Sequence, residues 1–346
     1  MNRIKVGILG VGHLGKLHAA LLKEIDLAEV VGVHDLDQST AERVGAELNL
    51  AVFKEREKLL EQVDAVSIVT PTSAHFETAM QALQHNCHLF IEKPICAAES
   101  EAEQLITLSR EKGKLLQVGH IERFNPAVLA LADVDINPLF IESHRLASFN
   151  LRGTDVAVIL DLMIHDLDLI LALVKSKPVN IAASGVNVIS DTIDIANARL
   201  QFENGCVANI TASRISAKKM RKMRIFQPNG YISLDFVEGF SEIYFIPQGG
   251  AQSGQKTFND GTLAFNLGQI GSGADLKEIK YNRLQKSGIN PLKYELTRFL
   301  ESIISGTATV VSGEDGLAAL HLANQVLAKI DEHTRLVKER SVLKNG

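Results

Sequence analysis

The sequence predicts two domains of different class. The first is an α/β domain on a doubly wound parallel sheet; the second is an α+β domain with an open-faced antiparallel sheet and helices on one face. Three observations carry this. Residues 4–35 read as strand, glycine-rich turn, helix and strand. Strand and helix patterns keep alternating from there to residue 118. Beyond residue 138 the apolar residues switch to period two, with Asn204-Gly205 and Asn229-Gly230 standing between such runs as hairpin signals.

The opening unit sets the frame. Ile4-Lys5-Val6-Gly7-Ile8-Leu9 runs into Gly10-x-Gly12-x-x-Gly15, then into a helical pattern through Leu14, Leu17, Leu21 and Leu22, and Val30-Val31-Gly32-Val33 closes on Asp35. In such a turn the first glycine permits a sharp bend, the second lets the backbone approach a pyrophosphate, and the third lets helix and strand pack closely. The helix opens at His13 and Leu14 with N–H groups and a positive dipole end that suit phosphates. Asp35 lies twenty residues past Gly15, where a carboxylate accepts hydrogen bonds from the adenosine ribose and repels a 2′-phosphate. NAD is therefore expected over NADP.

Further βα units follow: a helix over 38–48 capped by Ser39 or Thr40, a strand over 65–70, a helix over 73–86, a strand over 88–91, a helix over 100–112 followed by Gly113, and a strand over 115–118. The glycine loop, Thr70-Pro71, Glu92-Lys93-Pro94 and Gly119-His120 each stand just past a strand. In an open parallel sheet these carboxyl ends share one edge, which is where ligands bind.

In the second half, strands are expected over 139–146, 179–189, 193–202, 207–213, 223–226, 231–236 and 241–246, with a long helix over 155–174. Residues 248–273, rich in Gly, Gln, Ser and Asn, read as a flexible arm or an interface loop. Amphipathic helices follow over 291–305 and 314–333, and a charged tail from 334 is expected to fray. The domains divide as 1–121, 122–333 and the tail 334–346.

Composition narrows the function classes. With 46% hydrophobic residues over 346 positions the chain can bury sizeable cores, and a net charge of −5 gives no reason to expect nucleic acid. Cys87, Cys96 and Cys206 show no metal-ligand spacing and read as small buried hydrophobes of a reducing cytoplasm. The apolar run after Arg3 and Lys5 is too short for a signal peptide, and the most apolar stretch, 156–174, is interrupted by Asp161, His165, Asp166 and Asp168, so no membrane association is expected.

Oxidising a secondary alcohol needs a hydride acceptor and a group that takes the hydroxyl proton. Lys93, at a strand end before Pro94, can polarise an oxygen on the reacting carbon. His165 follows Asp161 by four residues on one helix face, suiting a proton acceptor and a group that binds substrate or orients the imidazole. An isolated Asp-x-x-x-His also reads as a surface ion pair, but apolar neighbours surround this one, and buried ionisable groups are costly unless used or paired. Asp166 and Asp168 find no second ligand cluster, so no metal is expected. Arg123 and Asn125 either orient substrate or pack at the domain junction. The basic run Arg214, Lys218, Lys219, Arg221, Lys222 and Arg224 reads either as a solvated hairpin or as a partner for a substrate diphosphate, with Arg214 the foremost candidate.

Taken in order, the glycine fingerprint, Thr70-Pro71-x-x-x-His75, Glu92-Lys93-Pro94, Gly119-His120-Ile121-Glu122-Arg123-Phe124-Asn125-Pro126 and Asp161-x-x-x-His165-Asp166-x-Asp168 resemble the glucose-fructose oxidoreductase / inositol dehydrogenase (Gfo/Idh/MocA) family over nearly the whole chain. The last two motifs most resemble its sugar-nucleotide branch, which includes UDP-N-acetylglucosamine 3-dehydrogenases. The resemblance implies a Rossmann domain with Gly10, Gly12, His13, Leu14, Gly15, Asp35, Thr70, Pro71, His75, Glu92 and Lys93 toward NAD. It also implies Lys93 and His165 around the reacting carbon with Asp161 one turn earlier, and a homodimer or homotetramer formed through the open face of the second sheet. Many members carry glycine before the histidine; here Met163-Ile164 fill that space, with consequences for the sugar pocket. A dehydrogenase of an inositol, a free aldose or a dihydrodiol, and a catalytically silent NAD-binding regulator, remain the alternatives.

Overall fold

The computed structural model describes residues 3–149, 156–228, 230–247, 265–271 and 276–345. The first half is built from β1 (Ile4–Leu9), α1 (His13–Lys23), β2 (Ala28–His34), α2 (Gln38–Leu48), β3 (Ala51–Val52), α3 (Arg56–Leu60), β4 (Ala65–Ile68), α4 (His75–Gln84), β5 (His88–Glu92), α5 (Glu99–Glu111) and β6 (Leu116–Gly119). All six strands run parallel in the order β3-β2-β1-β4-β5-β6, the doubly wound arrangement whose direction of winding reverses between β1 and β4. The short β3 and α3 escape a sequence reading because two and five residues are too few to show a period.

Two details differ from expectation. The N-cap of α2 is Asp37 rather than Ser39 or Thr40: its carboxylate accepts from the Ser39 N–H at 3.0 Å and from both neighbouring hydroxyls. Those hydroxyls hold the Asp37 carboxyl below the usual carboxylate range. In α1 the buried face is Gly15, His18, Ala19 and Leu22, while Leu14 and Leu17 are exposed. The cause is Gly15, which lies against the Gly10 carbonyl so closely that a Cβ would sit 1.9 Å from its oxygen, and so turns its own face inward.

The second half contains α6 (Pro126–Leu129), β7 (Phe140–Leu146), a π-helical turn (Ile159–Met163), α7 (Ile164–Val174), β8 (Pro178–Val186), β9 (Ile195–Phe202), β10 (Val207–Ser213), β11 (Met220–Gln227), β12 (Gly230–Asp235), β13 (Phe240–Phe245), β14 (Phe265–Ile270) and β15 (Lys277–Gln285). These strands form one sheet, β14-β15-β13-β12-β11-β7-β10-β9-β8, antiparallel except between β7 and β10. Gly205 takes a positive φ of 87° in the β9–β10 hairpin, as its Asn-Gly pair demands. Alternate residues such as Ala198, Leu200, Ala208, Ile210, Met223, Ile225 and Leu234 are buried on the inner face, which Ser143 and Arg145 tie to α7 through Asp166. Within the stretch read as an arm or loop, 265–270 is a strand; 248–264 and Asn229 lie outside the described residues.

Two helices close the chain, α8 (Pro291–Ser305) and α9 (Gly313–Asn345). The domain division differs from 1–121 and 122–333: one compact unit holds 1–124 and 289–321, the other 125–288 and 322–346. Hydrophobic burial explains the difference, because Leu296, Phe299 and Leu300 of α8 share one core with Val6, Ile8, Val33 and Phe90. α9 also continues to residue 345 through the tail expected to fray. No helix among the described residues is long and apolar enough to cross a membrane.

Candidate active site

The carboxyl edge of the parallel sheet gathers the expected cofactor residues of the first unit. The Gly10 N–H donates to His34 O at 2.9 Å and the Val69 N–H to Leu9 O at 2.8 Å, bringing the ends of β1, β2 and β4 together. Gly10 has a φ of 86°, and a Cβ there would lie 2.7 Å from the Thr70 nitrogen, so glycine is required by the chain itself. Gly15 is required in the same way. Gly12 is not: a Cβ at this position meets nothing within 4 Å. Its missing side chain instead leaves open space above the start of α1, beside the backbone of exposed His13 and Leu14, which is the concavity a pyrophosphate needs. The residues present therefore fit a dinucleotide.

Asp35 stands at the end of β2, half-buried. One carboxylate oxygen accepts from the Val11 N–H at 2.7 Å and the other from the Asp37 N–H at 2.9 Å. Each oxygen keeps a second lone pair for a ribose hydroxyl. Past β4, half-buried Thr70 and exposed Pro71 lead into α4, whose first residue, His75, is buried with Nδ1 2.9 Å from Pro94 O and Nε2 2.9 Å from Thr70 O. Burial pushes the His75 pKa down, against those two carbonyls. His75 thus braces the end of β4 against the Glu92-Lys93-Pro94 turn. Lys93 is half-buried, and its backbone N–H donates to Glu92 Oε2 at 3.2 Å.

The second unit carries the other expected catalytic pair. Asp161 lies inside the π-helical turn and His165 in the first turn of α7, both half-buried, between the fully buried Val158, Ile159, Met163 and Ile164. Interruptions of this kind in a helix frequently mark functional sites. Met163 and Ile164, expected to reshape a sugar pocket, are both at 0% exposure, so their bulk is spent in the core of the unit. Asp166 is engaged by Arg145 Nε at 2.7 Å and Ser143 Oγ at 3.0 Å, a buried structural pair, and no cluster of three or more His, Cys, Asp or Glu suited to a metal occurs among the described residues.

The candidate substrate residues sit in their own frameworks. Arg123 Nη2 lies 3.3 Å from Asp315 Oδ1 at the start of α9. Asn125 caps α6 by accepting from the Ala127 N–H at 3.0 Å and donates to Phe236 O at 3.0 Å. Arg214 is 5% exposed; its guanidinium donates to the Val156 and Ile193 carbonyls and lies 3.8 Å from Asp194. Lys222 and Arg224 pair with Asp235 and Glu142 across the sheet, whereas Lys218 and Lys219 are exposed. His18 and Ser67, beneath Glu92, are polar neighbours that the sequence reading missed. The signal was the spacing Gly15, His18, Ala19, Leu22, which puts a histidine on the buried face of α1.

Known proteins share the fold and its NAD-binding first half. Residues 4–120 match the model of the Gfo/Idh/MocA oxidoreductase family with its NAD-binding Rossmann fold, and residues 144–233 match a C-terminal domain of the same family. The UDP-N-acetylglucosamine 3-dehydrogenase of Acidithiobacillus ferrooxidans is 43% identical over 245 residues, 70% of this chain and 78% of the relative. A solved structure of that enzyme aligns at TM-score 0.83 and 35% identity, covering 96% of this chain and 99% of the other. A scyllo-inositol dehydrogenase from Lactobacillus casei, solved with NAD(H) and scyllo-inositol, shares the fold at TM-score 0.73 and 20% identity, covering 96% and 98%.

Proposed function

Because the chain belongs to the Gfo/Idh/MocA family of NAD-binding oxidoreductases, we propose that it oxidises a ring hydroxyl of a nucleotide-sugar, of the UDP-N-acetylglucosamine class, to a ketone. The observation that carries the substrate class is the 43% identity to an enzyme of that name over most of both chains. A myo-inositol 2-dehydrogenase of Thermotoga maritima is also related, at 24% identity over 362 residues.

Bound NAD supplies the hydride acceptor. Gly10, Gly12 and Gly15 shape the phosphate cradle, the His13 and Leu14 backbone meets the phosphates, and Asp35 meets the adenosine ribose; Thr70, Pro71, His75 and Glu92 line the same edge. Lys93 holds the oxygen of the reacting carbinol through its ammonium, which favours the developing alkoxide. His165 takes the hydroxyl proton, and Asp161 orients the imidazole. For the diphosphate the candidates are Arg214, whose guanidinium also binds backbone carbonyls, and the exposed Lys218 and Lys219 of the same basic run. Arg123 and Asn125, held by Asp315 and by the Phe236 carbonyl, are the remaining candidates to orient substrate.

The sheet of the second unit supports self-association. Phe140, Phe226, Tyr231, Tyr244, Tyr281 and Phe265 are direct cross-strand partners over six adjacent strands, a continuous aromatic row on one face. The rings contact in succession from Phe140 to Tyr281, with centroids 5.7, 5.0, 5.4 and 5.0 Å apart. Such a row on an open sheet face suits a second copy of the chain, as a dimer or tetramer. Three buried thiols, Cys87, Cys96 and Cys206, accord with a reducing cytoplasm; burial pushes the first two up to about 11 and about 12. The testing experiment is NAD reduction with nucleotide-sugars, free sugars and inositols in parallel. Turnover confined to free polyols would overturn the nucleotide-sugar assignment.

A further inference from the structure

His18 is fully buried on the inner face of α1, and a buried imidazole must find polar partners. It finds two. Ser67 Oγ, on β4, lies 2.9 Å from Nδ1, and Glu92 Oε1, at the end of β5, lies 3.1 Å from Nε2. When the Ser67 hydroxyl donates to Nδ1, a neutral ring carries its proton on Nε2, the nitrogen 3.1 Å from the carboxylate. Phe90 meets the ring edge-on, with centroids 5.5 Å apart at 68°, and limits its rotation. From the other side, a Cβ on Gly119 would lie 3.0 Å from Glu92 Oε1, so the carboxylate occupies space that a side chain on β6 would need. The second oxygen, Oε2, accepts the Lys93 N–H at 3.2 Å. Burial opposes ionisation of Glu92, but the polar contact with His18 and the charge and backbone N–H of Lys93 outweigh it and hold the carboxyl below the usual range.

We infer that His18 is a positioning residue: with its tautomer set by Ser67, it clamps the Glu92 carboxylate against Gly119 and so fixes the backbone that carries Lys93. The helix that presents His18 begins at the glycine loop, so the phosphate cradle and the Lys93 anchor are built on one rigid element. A leucine at this position would fill the same core volume but leave the carboxylate without the ring nitrogen that lies 3.1 Å from it. The consequence for turnover rests on the dehydrogenase reading; the clamp itself does not.

The test compares wild type with His18→Phe, His18→Gln and Ser67→Ala. Phenylalanine fills the site without a donor, glutamine returns an N–H, and alanine frees the ring. In the proteins without ligand, deuterium exchange of the segment 92–95 is expected to quicken in His18→Phe, less so in Ser67→Ala, and to return toward wild type in His18→Gln. In turnover, His18→Phe is expected to lower kcat about 10- to 100-fold, the scale of a small misplacement at the reacting atoms. Its affinity for NADH, titrated by fluorescence, stays within about threefold of wild type, less than 1 kcal/mol. Unchanged exchange at 92–95 in both His18→Phe and Ser67→Ala would overturn the clamp. A parallel loss of kcat and NADH affinity would overturn the positioning role and leave His18 a support of the cofactor cradle. If His18→Phe does not fold, Ser67→Ala carries the same two readouts. Absence of turnover in wild type would count against the dehydrogenase reading alone, since exchange is read without substrate.

Discussion

The Asp35 carboxylate accepts a hydrogen bond from the Val11 N–H at 2.7 Å, so the acid at the end of β2 also holds the glycine loop at the end of β1. In the proposed site, ribose selection and order in the glycine loop would therefore depend on one side chain. Asp35→Ala is expected to weaken NAD binding about 10- to 100-fold, the worth of charge-assisted hydrogen bonds of about 1.5–3 kcal/mol. Asp35→Asn keeps an acceptor for Val11 but sets its NH2 against the Asp37 N–H, so it should lower the melting temperature less than Asp35→Ala while narrowing the preference for NAD over NADP. Calorimetric titration of both variants with both cofactors checks this; unaltered NAD affinity in Asp35→Ala would remove Asp35 from the site.

The glycines divide by what surrounds them. Gly12→Ala is expected to change stability by about 1 kcal/mol or less, since the added methyl meets nothing within 4 Å and the cost is that of a weaker N-cap. NAD affinity should nevertheless fall about tenfold or more, because the methyl enters the phosphate space. Gly15→Ala should do the reverse first: its Cβ would sit 1.9 Å from Gly10 O, and thermal melting should show a loss of at least about 1–3 kcal/mol.

Much of this was legible in the sequence because glycine spacing and hydrophobic period report backbone geometry directly. Five of the six parallel strands, the segments at their carboxyl edge and most strands of the second sheet follow from such patterns; the two-residue β3 does not. The placement of α8 was not legible, because amphipathicity says that Leu296, Phe299 and Leu300 must be buried but not in which core. Nor were the protein partners of Arg123, Asn125 and Arg214: only three dimensions reveal that Asp315, Phe236 O and the carbonyls of Val156 and Ile193 engage them. The leucines of α1 misled for a related reason: the close Gly15–Gly10 contact, not residue hydrophobicity, decides which face turns inward.

Acid stability should depend on His88. Its Nδ1 accepts from the Leu115 N–H at 3.0 Å, which requires a neutral ring on that side, and burial, with help from the Lys114 charge, pushes its pKa down to about 4. The unfolded chain, with a histidine pKa of about 6.5, binds the proton more readily than the folded one. The contribution of His88 is therefore present above about pH 6.5 and lost as pH falls toward 4. His88→Gln should melt with a shallower pH dependence across that window than wild type; identical slopes would show that His88 does not titrate there.

The aromatic row gives a separate prediction. A Tyr231→Arg, Tyr244→Arg double variant places two charges in the middle of the row and should run as a monomer in light scattering at a concentration where wild type is oligomeric. An unchanged mass would move the interface elsewhere on the chain.

The most direct test of the proposed chemistry is NADH formation from NAD and UDP-N-acetylglucosamine, with Lys93→Ala and His165→Ala alongside. Wild type should turn over, and each variant should lose about 10²- to 10⁴-fold in kcat, the range for removing a positioned proton-handling group. NADH binding should survive in both. Turnover of similar rate in Lys93→Ala would contradict the assignment of the reacting edge to the end of β5.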